Sequence, residues 1–256
     1  YREWLDGNLV HLGDLPAGSE ATEPDAQVVR RQQVFGYTLE ELKLLIAPMA
    51  RDAKEAIGSM GSDTPVAVLS GHPRLVYDYF QQLFAQVTNP PLDAMREELI
   101  TAVSGNIGAE ANLLDPTAQS CSQIRIPHPV LTEAELAAIT RLDGLVEPSR
   151  FNTAVLDARY PVIDGGIGLT RALKRLESEA SAAIRNGANV IVISDRGADS
   201  DLAPVPSLLA TGAVHHHLIA EKTRTLVGIV VESGDVREVH HVALLLGFGA
   251  GGVCPY

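Results

Sequence analysis

Two apolar runs without polar alternation stand out along the chain, Asn189 to Ser194 (NVIVIS) and Leu226 to Val231 (LVGIVV). β-Branched side chains on both faces are what strands buried inside a parallel sheet require. Ser207 to Lys222 and Val236 to Leu246 instead place apolar residues three and four apart, the spacing of helices that cover a sheet. The pattern predicts a βαβαβ run over the last quarter of the chain, its parallel strands joined by right-handed crossovers. Upstream, Thr153 to Leu156 reads as a further strand and Leu169 to Asn186 as the helix leading into the run. The fold class is α/β, with parallel βα units resembling an incomplete (β/α) barrel and a more helical N-terminal part.

In that N-terminal part, Leu9 to Leu12 suits a short strand and Asp25 to Gln32 a helix. Thr38-Leu39-Glu40-Glu41 has the capping-box signature, so a helix is expected from Thr38 onward, interrupted or kinked by Pro48. Val66 to Leu69 reads as a strand. Leu75 to Val87 reads as a helix with Tyr77, Tyr79, Phe80, Leu83 and Phe84 as its bulky face, stopped by Pro90-Pro91. Pro127 and Pro129 extend the segment Ser120 to Pro129, and Thr132 to Glu135 caps a short helix after it. The division therefore falls near Cys121: 1–120 as the mainly helical part and 121–256 as the βα-repeat part.

Composition narrows the function classes. Asp and Glu number 32 against 20 Lys and Arg, a net charge of −12, which argues against a nucleic-acid or anionic membrane surface. Cys121 and Cys254 are the only cysteines and lie far apart, so no zinc or iron–sulfur spacing is present and a reducing cytoplasm fits. No apolar run has the length to cross a bilayer, and YREWLDG is not a signal peptide. The chain lacks an initiating Met and stops at Pro255-Tyr256 directly after a predicted strand, which suggests a piece of a longer polypeptide.

In a parallel sheet, function gathers in the loops at the carboxyl ends of the strands. Here those loops are Ser194-Asp195-Arg196-Gly197 and Glu232-Ser233-Gly234-Asp235, polar but without a complete catalytic set. His215-His216-His217 and His240-His241 raise the question of a metal. Neighbouring residues on a helix point about 100° apart, so three adjacent histidines cannot face one ion. One or two are expected to pack at helix–sheet contacts while the others face solvent. A histidine acting as general base, oriented by Asp195 or Glu232, is disfavoured by its mid-helix position. Gly247 to Gly252 follows a helix and precedes a strand, the reverse of a dinucleotide fingerprint, so a helix-to-strand turn is expected. Asp164 to Gly168 reads as a plain turn before the next helix.

Several long stretches carry a resemblance: VFGYTLEELKLLIAPMARDAKEAIGSMGSDTPVAVLS, YDYFQQLFAQVTNPPLDAMREELI, PHPVLTEAEL, SDRGADSDLAPVPSLLATGAVHHHLI and VVESGDVREVHHVALLLGFGAGGVCPY. Together they resemble the central region of the large subunit of glutamate synthases, the glutamine:2-oxoglutarate amidotransferases, from about Gln33 to Tyr256. Ala94 and Cys254 are small departures, standing where Pro and Asn are common. The resemblance implies a noncatalytic domain between an N-terminal glutaminase, whose nucleophile is a terminal Cys, and an FMN-binding (β/α)8 barrel that also carries a [3Fe-4S] cluster. Those two domains are the implied partners, with a small electron-transfer subunit or ferredoxin beyond them. It also implies an internal tunnel that carries ammonia to 2-oxoglutarate. No catalytic, cofactor or metal residue carries over to this chain.

On its own composition, the loop from Gly58 to Pro65 is a tight turn rich in Gly, Ser and Thr. With the resemblance, Ser59, Met60, Gly61, Ser62, Asp63 and Thr64 become candidates for the tunnel wall, Thr64 foremost. A small neutral molecule needs a passage poor in water with an occasional hydroxyl partner and no charge to protonate it. Gln86, Thr88 and Asn89 are either a helix stop or an interdomain contact whose amides bond a neighbouring backbone. The other function class is a free-standing, α/β-barrel-like, metal-dependent hydrolase or lyase built on Asp195, Arg196, Glu232 and the histidines.

Overall fold

A computed structural model describes residues 1–16, 24–55, 61–62, 64–81, 83, 87–142 and 150–256. The first half contains α1 (Arg2–Asn8), β1 (Val10–His11), α2 (Asp25–Val34), α3 (Leu39–Glu41), α4 (Ala47–Asp52), α5 (Ala94–Ile100) and β2 (Gly105–Ile107). The second half contains β3 (Ile124–Ile126), α6 (Glu133–Thr140), β4 (Thr153–Asp157), β5 (Arg159–Pro161), α7 (Gly165–Arg185), β6 (Val190–Ser194) and β7 (Leu202–Pro204). It ends with α8 (Ser207–Ala220), β8 (Gly228–Ser233), α9 (Val239–Gly247) and β9 (Gly252–Pro255).

The predicted βαβαβ run is present and extends one unit further. Strands β4, β6, β8 and β9 form one parallel sheet in that order, each paired with the next in sequence. Because the order never reverses, right-handed crossovers place α7, α8 and α9 on one face, as in a barrel wall. The described strands do not close into a ring. The period of two sorts the core. Ile191, Ile193 and Ile229 pack against Leu176, Ala210, Val214 and Leu218 on the helical face. Val190, Val192, Val230 and Cys254 face the opposite way, onto Ile107, Ile124, Ile126, Leu136 and Ile139.

That second face is covered by α6 and by a small sheet in which β3 lies between β1, parallel to it, and β2, antiparallel. Residues on both sides of position 120 thus share one sheet. The outer edge of β9 is met by Pro129 to Leu131 through bonds of 2.8 Å from Leu131 N to Val253 O and from Val253 N to Pro129 O.

The Thr38 capping box forms as expected, with Glu41 N donating to Thr38 Oγ1 at 3.1 Å and Thr38 N to Glu41 Oε2 at 2.8 Å. Pro48 neither breaks nor stops the helix. A π turn at Leu42–Ile46 precedes it, and the wider turn makes room for the proline ring, which would otherwise meet the carbonyl one turn back.

Three expectations are corrected. Val66 to Leu69 is not a strand: it has no ladder partner among the described residues, and Val68 and Leu69 are 88% and 98% exposed. The described residues of Leu75 to Val87 do not form the expected helix. Val76–Tyr79 is a single 3₁₀ turn, Phe80 is extended, and Gln81 bridges Gly61. Tyr77 and Tyr79 do not share an environment, since Tyr77 is buried at the end of the parallel sheet while Tyr79 is exposed. Asp164 to Gly168 is not a plain turn either, because α7 already begins at Gly165. Gly168 is needed there, as a Cβ would lie 2.6 Å from the Asp164 side chain and 3.0 Å from the Tyr160 ring.

Candidate functional site

Strands β6, β8 and β9 end side by side, so the residues at their carboxyl ends converge: Asp195 and Arg196, Ser233 and Asp235, and Tyr256. Asp195, 1% exposed, accepts from Ser233 Oγ, from Tyr256 OH at 2.6 Å and from Gly234 N at 3.2 Å. Burial and then the neighbouring Asp235 charge push its carboxyl up to about 7, against the lowering effect of these donors.

Asp235 sits at the N-terminus of α8. It accepts from Ser207 N at 3.0 Å and Ser207 Oγ at 2.6 Å, filling the capping role that the Pro206 side chain cannot. Ser233 Oγ reaches the same carboxylate at 2.8 Å and so bridges both acids. From the first half of the chain, Tyr77 OH reaches Asp235 Oδ1 at 3.1 Å and also meets Ser207 Oγ. Burial and the Asp235 charge raise the Tyr77 phenol above its ordinary range.

Charged groups surround this cluster without entering it. Arg196 donates from Nε to Glu232 Oε1 at 2.6 Å and from Nη2 to Glu133 Oε2 at 2.8 Å, and its guanidinium lies 4.2 Å from the Tyr256 ring centre. Ser194 Oγ donates to Glu232 Oε2 at 2.5 Å. Arg237 is buried, pairs with Glu41, donates to Phe35 O and lies 4.0 Å over the Tyr37 ring. His241 Nδ1 accepts from Arg237 N at 3.1 Å, so this nitrogen carries no proton. Burial and the Arg237 charge hold the imidazole down to about 3.

The acceptors of Asp195 and Asp235 are thus taken by the chain's own hydroxyls and amides. The arrangement ties three strand ends and the Val76–Tyr79 turn together. Among the described residues no histidine touches Asp195 or Glu232, so the general-base arrangement is not assembled. His215, His216 and His217 point to different surroundings, and of the five clustered histidines only His216 faces solvent, fewer than expected. His215 accepts from Arg224 at 2.9 Å, His217 bonds Ser181 at 2.8 Å, and His216 is exposed. Among the described residues no three His, Cys, Asp or Glu gather as a metal-ligand set. Two cysteines cannot supply the three thiolates of a [3Fe-4S] cluster, and burial pushes the Cys254 thiol up to about 12. Gly247 to Gly252 is the expected helix-to-strand turn, and Gly249 (φ +108) has no room for a Cβ beside His215.

Of the predicted loop, Gly61 (φ +89) packs against His240, where a Cβ would lie 3.1 Å from His240 Cε1, and it bridges Gln81. Ser62 and Thr64 are exposed, with Thr64 N donating to Ser62 Oγ at 3.2 Å. Thr88 and Asn89 are also exposed. Ser59, Met60, Asp63 and Gln86 lie outside the described residues. Beside the acidic cluster, Arg30, Arg31, Arg196, Asp199 and Tyr256 line an open cavity of about 910 Å³.

Residues 30–256 match the family model for the glutamate synthase central domain. The chain belongs to that family. It is 41% identical over its whole length to glutamate synthase [NADH] of Schizosaccharomyces pombe and 40% identical to the large chain of glutamate synthase [NADPH] of Bacillus subtilis. Ferredoxin-dependent glutamate synthase 2 of Synechocystis is 39% identical, again across the whole chain. The chain spans only 12% of the first of these relatives and 16% of the other two. For this central domain, a free-standing hydrolase or lyase is not the favoured reading. Among its described residues no helix is long and apolar enough to cross a membrane.

Sequence alone does not group Tyr77 with Ser207 and Asp235, although SDRG and ESGD stand out as carboxyl-end loops. The only signal is a Tyr and two short polar loops, with Tyr77 and Asp235 separated by 158 residues.

Proposed function

We propose that this chain is a noncatalytic connector within a glutamate synthase polypeptide, set between a glutaminase domain and an FMN-binding synthase barrel. The parent reaction is the reductive synthesis of L-glutamate from L-glutamine and 2-oxoglutarate. FMN and a [3Fe-4S] cluster belong to the parent's other domains, electrons come from a small subunit or ferredoxin, and the compartment is cytoplasmic. Within the chain, 1–120 carries the interdomain loops and 121–256 the βα scaffold.

The observation that carries this reading is that the acids at the functional end of the sheet are spent on internal hydrogen bonds. A catalytic carboxylate must be able to reach a substrate, and these reach their own chain. The loop Ser59, Met60, Gly61, Ser62, Asp63 and Thr64 supplies wall to the ammonia passage, and Gln86, Thr88 and Asn89 contact a neighbouring domain. The exposed Ser62 and Thr64 hydroxyls suit that role.

The test is Thr64→Trp in the full-length enzyme. Glutamate formed per glutamine hydrolysed is expected to fall, with free ammonia rising by the difference. An unchanged ratio removes the tunnel assignment.

A further inference from the structure

Among the described residues, the hydroxyls of Tyr77, Ser207, Ser233 and Tyr256 have four protons between them and serve six contacts. These are Tyr77 with Ser207 and with Asp235, Ser207 with Asp235, Ser233 with Asp195 and with Asp235, and Tyr256 with Asp195. The Tyr77 proton can be shared, because Ser207 Oγ and Asp235 Oδ1 each have another partner. Ser233 differs, because Asp195 Oδ2 has no other donor among the described residues. Its single proton goes to one carboxylate, and the other contact then sets an oxygen lone pair against a buried carboxylate oxygen. Such a contact is repulsive, and burial magnifies it.

One added proton resolves this. A protonated Asp195 donates to Ser233 Oγ, and Ser233 donates to Asp235. The proton belongs on Asp195 because Asp235 has the N-terminus of α8 and two donors from Ser207 to favour its negative charge. Among the described residues no ion pair reaches either acid.

The charged and titratable neighbours do not replace that proton. From the end of β6, Arg196 is turned to Glu133 and Glu232. From the end of β8, Arg237 is turned to Glu41 and stacks on Tyr37. Tyr256 and Tyr77 meet the acids as neutral phenols, raised by burial and by the acids themselves. On α9, His241 stacks on Tyr77 and is held neutral, with Glu238 on its far nitrogen at 3.5 Å. His240 faces the Tyr77 carbonyl at 3.4 Å.

We propose that Asp195, Ser233 and Asp235 form a site for one titratable proton and that this proton, when bound, fastens the Val76–Gln81 strap to the last strand. Losing the proton breaks the Ser233 bridge. The half of the cluster that holds Tyr77 and Ser207 then separates electrostatically from the half that holds Tyr256. The position of Asp195, pushed up to about 7, agrees with the proton count. The released proton reaches water beside Tyr256, which lines the open cavity. Because the strap carries the bridge to Gly61, its fastening also positions Gly61.

The test is the infrared difference between the full chain and its Asp195→Asn variant across pH. Expected is the C=O stretch of a protonated carboxyl near pH 6, above the range of ordinary Asp, vanishing with a midpoint at about 7. In Asp235→Asn, which removes the like charge, that midpoint falls by about one unit or more. Hydrogen-exchange protection of residues 76–81, taken relative to the intrinsic rate at each pH, falls several-fold above the midpoint in the wild type and stays flat in Asp195→Asn. If Asp195→Asn does not fold, Ser233→Ala carries the test, since removing the acceptor shifts the band to higher frequency. A missing band near pH 6, or one that ignores these substitutions, overturns the proposal. So does strap protection, relative to the intrinsic exchange rate, that is independent of pH.

Discussion

The Tyr77 ring lies flat on the His241 imidazole, centroids 4.1 Å apart and planes within 9°. This pair joins an irregular segment from the first half of the chain to the helix that follows β8. The ring supplies the stack, and the hydroxyl supplies the bond to Asp235 and Ser207. The two contributions separate in mutation.

Tyr77→Phe keeps the stack and removes the hydroxyl. Asp235 retains donors from Ser207 and Ser233, so the expected cost is that of one hydrogen bond to a charged group, about 1.5–3 kcal/mol. Tyr77→Ala also empties a fully buried site, and an aromatic-to-alanine change costs about 3–5 kcal/mol. Denaturant unfolding of both variants checks the order. Equal costs would mean that the ring contributes nothing beyond its hydroxyl, and an unchanged stability in Tyr77→Phe that the hydroxyl contributes nothing.

Gly234 faces Phe35 so closely that a Cβ would overlap the ring. Its carbonyl accepts from Tyr37 OH at 3.1 Å and its amide donates to Asp195, so the backbone has little room to move away. Gly234→Ala is expected to cost about 1–3 kcal/mol by overpacking. Phe35→Leu, which thins the ring, should recover part of that loss in the double variant, giving a coupling of about 0.5 kcal/mol or more. Additive costs in the cycle would show that the contact is not the source.

What is legible in the sequence follows from the range of the interactions involved. Thr38 with Glu41 and Thr132 with Glu135 form their capping boxes within four residues, and both are present. The runs at Val190–Ser194 and Gly228–Ser233 are apolar on both faces, and they are central strands of the parallel sheet. Val66 to Leu69 is also an apolar run, but only four residues long and without a partner to complete a ladder. Short apolar runs do not distinguish a buried strand from a loop.

Tyr77 shows the opposite limit. Its aromatic neighbours suggest a helical face, whereas its burial depends on Asp235, Ser207 and His241, which no local pattern connects to it. The resemblance between the motifs and a known family is legible for a different reason. Long ordered matches specify a family even where the local structure of a segment is misread, and YDYF belongs to such a match despite forming only one 3₁₀ turn.

Asp195 and His241 give the domain two opposed responses to pH. Asp195 is raised to about 7, so between the ordinary Asp value and 7 the folded chain holds a proton that the unfolded chain has lost. Its contribution to stability is fully present below the unfolded value and is lost as pH rises to about 7. His241 is lowered to about 3, so between that value and the ordinary His value the unfolded chain holds the extra proton. Its effect therefore makes stability rise with pH over nearly the same window. Each slope is at most about 1.4 kcal/mol per pH unit, and the two largely cancel between about pH 4 and 6.5. Asp195→Asn should expose the His241 slope, with stability rising relative to wild type as pH increases. His241→Phe, which keeps a ring against Tyr77, should expose the Asp195 slope, with stability falling relative to wild type. Unfolding free energies at several pH values check the slopes independently of any constant offset from the lost hydrogen bonds. Slopes that match wild type in both variants would mean that neither group carries a shifted proton in the folded chain.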